Sequence, residues 1–434
     1  MQEKQLLVYN YCMQQKPWLI LISFMAIWLF SPLGCGTVEE ATTTTSSTTT
    51  TSTSSTVSTT STTSTISSTS TTTTTTSTTT TTISGSWTVV GQAGISGSNI
   101  AVSAPLILVS SEGTPVVAIV DKVSLSGTPE LSVMYYTDDW HYFGDRGITV
   151  EANFIGQFSM ALTIDRPLLV FAATNPSHIV KAYIWDKYST PSSWVAWPNL
   201  NGGTNPSPDV VLSSDTAYCV ESFVNNQVKV EYTAEPPSAW QTFGNTISTT
   251  GTAEECALSI DGGGKPFILF SADNETHVMV YSSGTWSELT SPGDLSPYPS
   301  LFATNDIPYI AFIDSSDNNK IKVKYYFSGD WHTLGSGAVS SGSGFSPVIK
   351  FYNSTAYVAF VDGDNNSKIT VKRLVNNSWQ LVGSAGFSPY GVDQSLAESR
   401  VLSLAVSSES LAYVAFMEND STKNRITVMK FISN

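Results

Sequence analysis

WTVVG at residues 87–91 returns as WHYFG at 140–144, WQTFG at 240–244, WHTLG at 331–335 and WQLVG at 379–383. Two looser copies, WVAWP at 194–198 and WSELT at 286–290, complete a series in which Trp87, Trp140, Trp194, Trp240, Trp286, Trp331 and Trp379 recur at intervals of 45 to 54 residues. Self-similarity at a period near 50 residues marks a radially repeated β-sheet architecture, in which each unit is one small sheet that buries its faces only against its neighbours.

Three further segments recur between successive tryptophans. The first is an apolar run closing on an acid or another polar residue: PVVAIVD at 115–121, PFILFSA at 266–272, PYIAFID at 308–314, AYVAFVD at 356–362 and AYVAFME at 412–418. Such continuous hydrophobicity predicts a strand buried on both faces. Next comes an alternating segment, LSVMYY at 131–136, VKVEYT at 228–233, IKVKYY at 321–326 and ITVMKF at 426–431, patterned as a half-exposed strand requires. After each Trp segment stands a fourth, such as PDVVLSS at 208–214, ECALSID at 255–261 and SPVIKFY at 346–352. Four strands repeated seven times predict an all-β, seven-bladed β-propeller of residues 85–434, with four antiparallel strands per blade. The repeat region starts on a Trp strand and ends on ITVMKF, so the last blade lacks its outer strand unless the Trp87 segment supplies it. That join is expected to close the ring and remove its open edge. The phrasing resembles that of secreted and surface bacterial propellers, where W-x-x-h-G alternates with P-Y-h-A-F-x-D and K-h-x-V-K. The resemblance implies the fold and leaves function open, because propellers host binding, scaffolding and catalysis alike.

Ahead of the repeats, Lys4 and Lys16 precede a 13-residue apolar run, Trp18–Phe30. It is shorter than the roughly 20 residues that span a bilayer and fits a secretory signal sequence. Ser31-Pro32-Leu33-Gly34-Cys35-Gly36 follows directly and resembles the lipobox of bacterial lipoproteins, although Leu33 stands two positions before the cysteine where that family has it three before. The resemblance implies a signal peptide of residues 1–35, lipidation at Cys35, and placement in the cell envelope at the outer membrane or cell surface. Residues 36–84 are read as a stalk: Thr42–Thr82 is Ser or Thr throughout except Val57 and Ile66. A tract with nothing apolar to bury does not offset its own ordering entropy. Fully extended it would reach about 135 Å, at roughly 3.3 Å per residue.

With a net charge of −15 over 434 residues and no stretch rich in Lys or Arg, the chain is not expected to bind nucleic acid, whose phosphates require clustered cations. Neither a cofactor nor a metal is expected, and the chain is read as a monomer. Of four cysteines, two lie in the leader region, leaving Cys219 and Cys256 either as buried thiols acting as small hydrophobes or as one inter-blade disulfide.

Candidate binding residues are Asp121, Asp314, Asp362 and Glu418, each closing a buried strand before a polar turn. In a propeller such turns share one face around the axis, so these acids are candidates for a cation or polyol site. They are equally suited to capping and turning the backbone. No catalytic residue is assigned. The turns before the Trp strands (YTDDW, SGTW, SGDW) lack the S-x-D-x-G-x-x-W box of sialidases, and there are only five arginines, Arg146, Arg166, Arg373, Arg400 and Arg425, to form the carboxylate-binding cluster of that family. His141, His178, His277 and His332 show no metal-ligand spacing. The expected role is non-catalytic binding of a glycan or a protein. The alternatives are a glycoside hydrolase or lyase on a propeller scaffold, with paired carboxylates as acid and base, and a structural envelope component.

Overall fold

The computed structural model describes residues 83–433, except 98, 123–126, 149–153, 164–165, 174–178, 201–206, 224, 235–238, 274, 294, 296–297, 394, 396–398, 408–411 and 421–422. The signal peptide, Cys35, almost all of the stalk and His178 therefore lie outside the described residues.

Seven antiparallel sheets follow one another along the chain. In blade 5 the strands run Ser300–Thr304, Ile307–Asp314, Lys320–Phe327 and Asp330–Thr333, from innermost to outermost. Blade 6 repeats this with Gly344–Tyr352, Thr355–Asp362, Lys368–Val375 and Ser378–Leu381. Two blades depart from the simple pattern. In blade 1 the innermost strand is split into Ile100–Ala101 and Leu106–Val109, both paired to Pro115–Lys122. In blade 3 the outer edge is broken into Gln241–Thr242 and Ile247–Ser248, both paired to Gln227–Ala234. The seven innermost strands touch in turn, and the last of them, Leu402–Val406, touches the first, Leu106–Val109. The molecule is a seven-bladed β-propeller.

Closure occurs where the sequence places it. Gly85–Val89 pairs with Asn424–Ser433, with Trp87 opposite Phe431 and Val89 opposite Met429, and forms the outer strand of blade 7. Just before it, Ile83 bridges to Val382 of blade 6.

The W-x-x-h-G phrase has a physical explanation in the contact between one blade and the next. Six of the seven indole N–H groups donate to a main-chain carbonyl of the preceding blade's outer segment, among them Trp140 to Val90 (3.0 Å), Trp194 to Phe143 (2.7 Å), Trp286 to Phe243 (2.9 Å) and Trp87 to Val382 (2.7 Å). In these four the acceptor is the hydrophobic residue just before the glycine. Where Pro198 and Thr290 replace that glycine, the acceptor moves one residue on, to Pro198 O for Trp240 (2.7 Å) and Thr290 O for Trp331 (2.6 Å). Only Trp379 lacks an acceptor, its N–H lying against Gly335. The glycine is needed twice over. Its φ lies between +70° and +87° at Gly91, Gly144, Gly244, Gly335 and Gly383, a region other residues seldom adopt. A Cβ at Gly91, Gly244, Gly335 or Gly383 would also stand 2.6 to 3.0 Å from the next blade's indole.

The core lies between blades and is built from the second and third strands. Phe171, Phe270, Phe312, Phe360 and Phe416 occupy one register position in the second strands of blades 2, 4, 5, 6 and 7, opposite Lys181, His277, Lys322, Thr370 and Thr427. Cys219 and Cys256 are free, buried thiols. Burial pushes both thiol pKa values up, that of Cys256 to beyond the usual thiol range. In blade 3 the phenylalanine position holds Glu221, opposite Lys229. Glu221 is 0% exposed, and Glu231 beside it on the third strand is 9% exposed. Both Glu221 oxygens and Glu231 Oε2 are buried without a hydrogen-bond donor. Two carboxyl groups in contact hydrogen-bond only when one carries a proton. Burial, then the bond and the like charge of Glu231, hold the Glu221 pKa well above the carboxylate range, against the opposing charge of Lys229.

Two outcomes follow from this packing. Trp286→Ala should lower unfolding stability by about 3–5 kcal/mol, the range for emptying a large aromatic site, read from denaturant midpoints. Because the folded pKa of Glu221 is raised, its neutral form supports the fold fully below the unfolded value of 4.5, and that support is lost as pH climbs toward the folded value. Glu221→Gln should therefore exceed the native chain in stability by about 1–3 kcal/mol at pH 7.5, with the difference closing near pH 4 in urea titrations at both pH values.

Candidate functional site

Antiparallel order puts the turns between second and third strands at the same end of the ring as the connections from blade to blade. Two pockets are built from residues that include this end.

The first is axial, a cavity of about 700 Å³ lined by the innermost strands of all seven blades. Its wall is held by side chains that reach across six of the seven blade junctions. Ser159 Oγ accepts from Val210 N (3.2 Å), Asp209 Oδ2 from Leu258 N (2.8 Å), Ser259 Oγ from Ala303 N (2.9 Å), Ser300 Oγ from Ile349 N (3.2 Å), Ser346 Oγ from Val401 N (3.0 Å) and Ser403 Oγ from Ile107 N (3.2 Å). An innermost strand exposes edge N–H groups that no fifth strand pairs, and these acceptors satisfy them. At the junction of blades 1 and 2, the register position of Ser159 and Ser300 is held by Leu106, which has no side-chain acceptor. Asp209 also takes the Ser159 hydroxyl on Oδ1 (2.6 Å), so both its oxygens are committed. At the mouth, Glu255 Oε2 accepts from Tyr298 N (2.8 Å) and Ser271 Oγ (3.3 Å), and Arg400 Nη2 donates to Pro299 O (3.2 Å). Burial raises the Glu255 pKa against the pull of the Tyr298 N–H, the Arg400 charge and the Ser271 hydroxyl. Glu255, Tyr298 and Ser346 have left-handed backbone (φ +56°, +63° and +52°), which turns the entry of three successive blades at the mouth.

The second pocket lies between blades 3 and 4 and encloses about 440 Å³. Ile247, Ser248, Thr249 and Thr250, in the connection leaving blade 3, form one wall, and Phe270, His277 and Glu288 of blade 4 contribute to the other. Gln227–Val228 holds the connection in place through Ile247–Ser248. His277 stacks on Phe270 (centroids 5.1 Å apart, planes at 14°), and its Nδ1 is 2.6 Å from Glu288 Oε1. Its Nε2 is buried without a partner, and because a carboxylate oxygen only accepts, Nδ1 is the donor to Glu288. Asp273 accepts from the Thr250 hydroxyl, while Glu275 is exposed at the rim. Hydroxyls and carboxylates beside an imidazole ring can take a polyhydroxylated ring, its hydroxyl groups donating to the carboxylates and its C–H face packing on His277.

The four acids singled out by sequence stand at the ends of second strands in blades 1, 5, 6 and 7, and none lines either pocket. Asp121 takes Arg146 Nη2 (2.5 Å) and Asn99 Nδ2 (3.2 Å). Asp314 caps the 3-10 turn Ser315–Asp317 through Ser316 N and pairs with Lys322 (2.8 Å). The Lys322 bond, with help from Ser316, draws its pKa down to about 2. Asp362 takes Asn365 Nδ2 and Thr370 Oγ1, and Glu418 takes Thr427 Oγ1 and the more distant Tyr390 N. Each thus serves its own blade or a connection entering or leaving it, and none of these bonds joins one of the four to another. Asp209, Glu255 and Lys350, on innermost strands, and His277, opposite a core phenylalanine, were not singled out from sequence. Their signal is a polar residue at a register position that other blades fill differently, which pairing partners reveal and composition does not.

No family model and no curated protein sequence matches the chain. Among solved structures, it is similar to AofleA from Arthrobotrys oligospora, with 10% identity over 70% of this chain and 91% of that one and a TM-score of 0.45. It is likewise similar to the SapL1 lectin in complex with alpha methyl fucoside (15% identity, 65% of this chain and 96% of that one, TM-score 0.45). A third similarity is to the β-propeller domain of the Trilobed protease from Pyrococcus furiosus (6% identity, 77% of this chain and 98% of that one, TM-score 0.49). Likenesses this distant leave ligand and activity to be argued from this chain's own residues.

Proposed function

We propose that the protein is a non-catalytic binding module, lipid-anchored at Cys35 in the cell envelope, raised on the stalk of residues 36–84, and taking a glycan through the pocket between blades 3 and 4. The observation that carries this reading is the His277 ring, stacked on Phe270 and joined at its edge to Glu288, in the wall of a 440 Å³ pocket. That size suits a single sugar ring. Against an enzyme acting on polysaccharide stands the condition of the axial carboxylates. Asp209 and Glu255 are held by main-chain N–H and hydroxyl donors, whereas a hydrolase needs two carboxyl groups facing each other across its substrate.

A glycan array probed with the purified full chain should give binding to a defined set of sugars. Glu288→Gln and His277→Ala should each weaken it about tenfold or more, as loss of a charge-assisted bond does. Binding of polysaccharide accompanied by its cleavage would replace this reading with the hydrolase or lyase, and capture of proteins but no glycan would turn it to a protein partner. For the anchor, Cys35→Ser should abolish incorporation of a labelled fatty acid and move the chain from the membrane to the soluble fraction. Unchanged fractionation and labelling would remove the lipoprotein reading while leaving the pocket untouched.

A further inference from the structure

The axial cavity carries a charge that the blade 3–4 pocket does not explain. Lys350, on the innermost strand of blade 6, pairs across to Tyr357. The same register position in the other blades holds Leu108, Ala161, Val211, Ser259, Phe302 and Ala405. One ammonium group therefore stands in a collar that is otherwise apolar or hydroxylic.

Hydrogen-bonding capacity around it is uneven. Asp209, the carboxylate within electrostatic reach of Lys350, has both oxygens committed to Ser159 and Leu258. The Lys350 ammonium has no hydrogen-bond partner among the described residues and sits 5.9 Å from the centre of the Phe302 ring. Burial lowers its pKa, and the Arg400 charge lowers it further against the opposing pull of Asp209. At the mouth, Arg400 directs one nitrogen to Pro299 O, and Glu255 is held by Tyr298 and Ser271. Glu254 is exposed at the rim, five positions before Ser259 on its strand, roughly 15 Å above the collar at about 3.3 Å per residue. What the depth of the cavity leaves open is thus donor capacity bearing a positive charge. A half-buried cation that lacks a hydrogen-bond partner inside a cavity is stabilised when an anion joins it.

We propose that the axial cavity is an anion site in which a carboxylate, as carried by an acidic sugar, seats on Lys350, with Arg400 at the rim drawing it in. The site is separate from the pocket between blades 3 and 4, and either assignment can fail without the other.

Isothermal titration of the purified full chain with D-glucuronate, D-glucose and inorganic phosphate tests it. Glucuronate should bind, and Lys350→Met should weaken that binding at least tenfold, about the effect of removing a charge-assisted hydrogen bond. Lys350→Arg should retain most of the affinity. Lys350→Met adds no charge to an apolar collar and should fold, as its unfolding midpoint will report; Lys350→Gln serves as a second neutral variant. Glu288→Gln should leave the Lys350-dependent binding unchanged, whereas any binding of glucose should depend on Glu288 and not on Lys350. Absence of glucuronate binding, or glucuronate binding indifferent to both neutral variants, would overturn the proposal. Binding of phosphate in place of glucuronate would overturn the carboxylate assignment.

Discussion

A tryptophan donating its indole N–H to the carbonyl of the preceding blade is the interaction on which the molecule turns. One blade has two apolar faces and two strand edges, and cannot satisfy them alone. The indole joins a large apolar surface to a directional bond in the same side chain, so it sets both the packing and the register of neighbouring blades. The glycine after the accepting carbonyl is its counterpart, since the left-handed backbone there leaves room for the ring. Except at Trp379, each phrase therefore supplies a donor to the blade before it, and each supplies an acceptor or a seat for the blade after it. Trp140 bonds the N-terminal segment, whose own Trp87 bonds blade 6, so the relation runs round the ring and across its chain break.

A second ring of bonds lies at the axis. Hydroxyl and carboxylate oxygens from one innermost strand accept the edge N–H groups of the next at six of the seven junctions. The outer ring orders the blades and the inner ring fixes the width of the cavity. Asp209 belongs to this inner ring and so acts as a wall component, bonded through both oxygens to Ser159 and Leu258. Blade 3 is the unusual member: Glu221 replaces a core phenylalanine, and its outer edge breaks to send residues 247–250 over blade 4. The same blade thus carries a buried pair of carboxyl groups and one wall of the inter-blade pocket.

The fold was legible because it rests on periodic features. Seven Trp phrases, seven apolar runs and the missing outer strand of the last blade predicted blade number and closure, and the pairing of Gly85–Val89 with Asn424–Ser433 follows that expectation. The pockets were not legible to the same degree. Asp121, Asp314, Asp362 and Glu418 stood out because each ends a conspicuous apolar run, yet each accepts bonds from its own blade or a connection entering or leaving it. Residues that do line a cavity, such as Lys350 in SPVIKFY and Asp209 in PDVVLSS, lie inside strands whose pattern gives no hint of which side faces the axis.

By itself, then, the order of amino acids determined that this chain forms seven sheets and that the first and last strands of the repeat region pair in one of them. Hydrophobic periodicity and glycine placement are local properties, and a local property repeated seven times leaves few architectures open. Only the tertiary structure decided which polar groups are satisfied and which are left exposed to a ligand. That depends on whether a donor or acceptor from another blade, tens to hundreds of residues away, lies within about 3 Å, and no spacing along the chain records it.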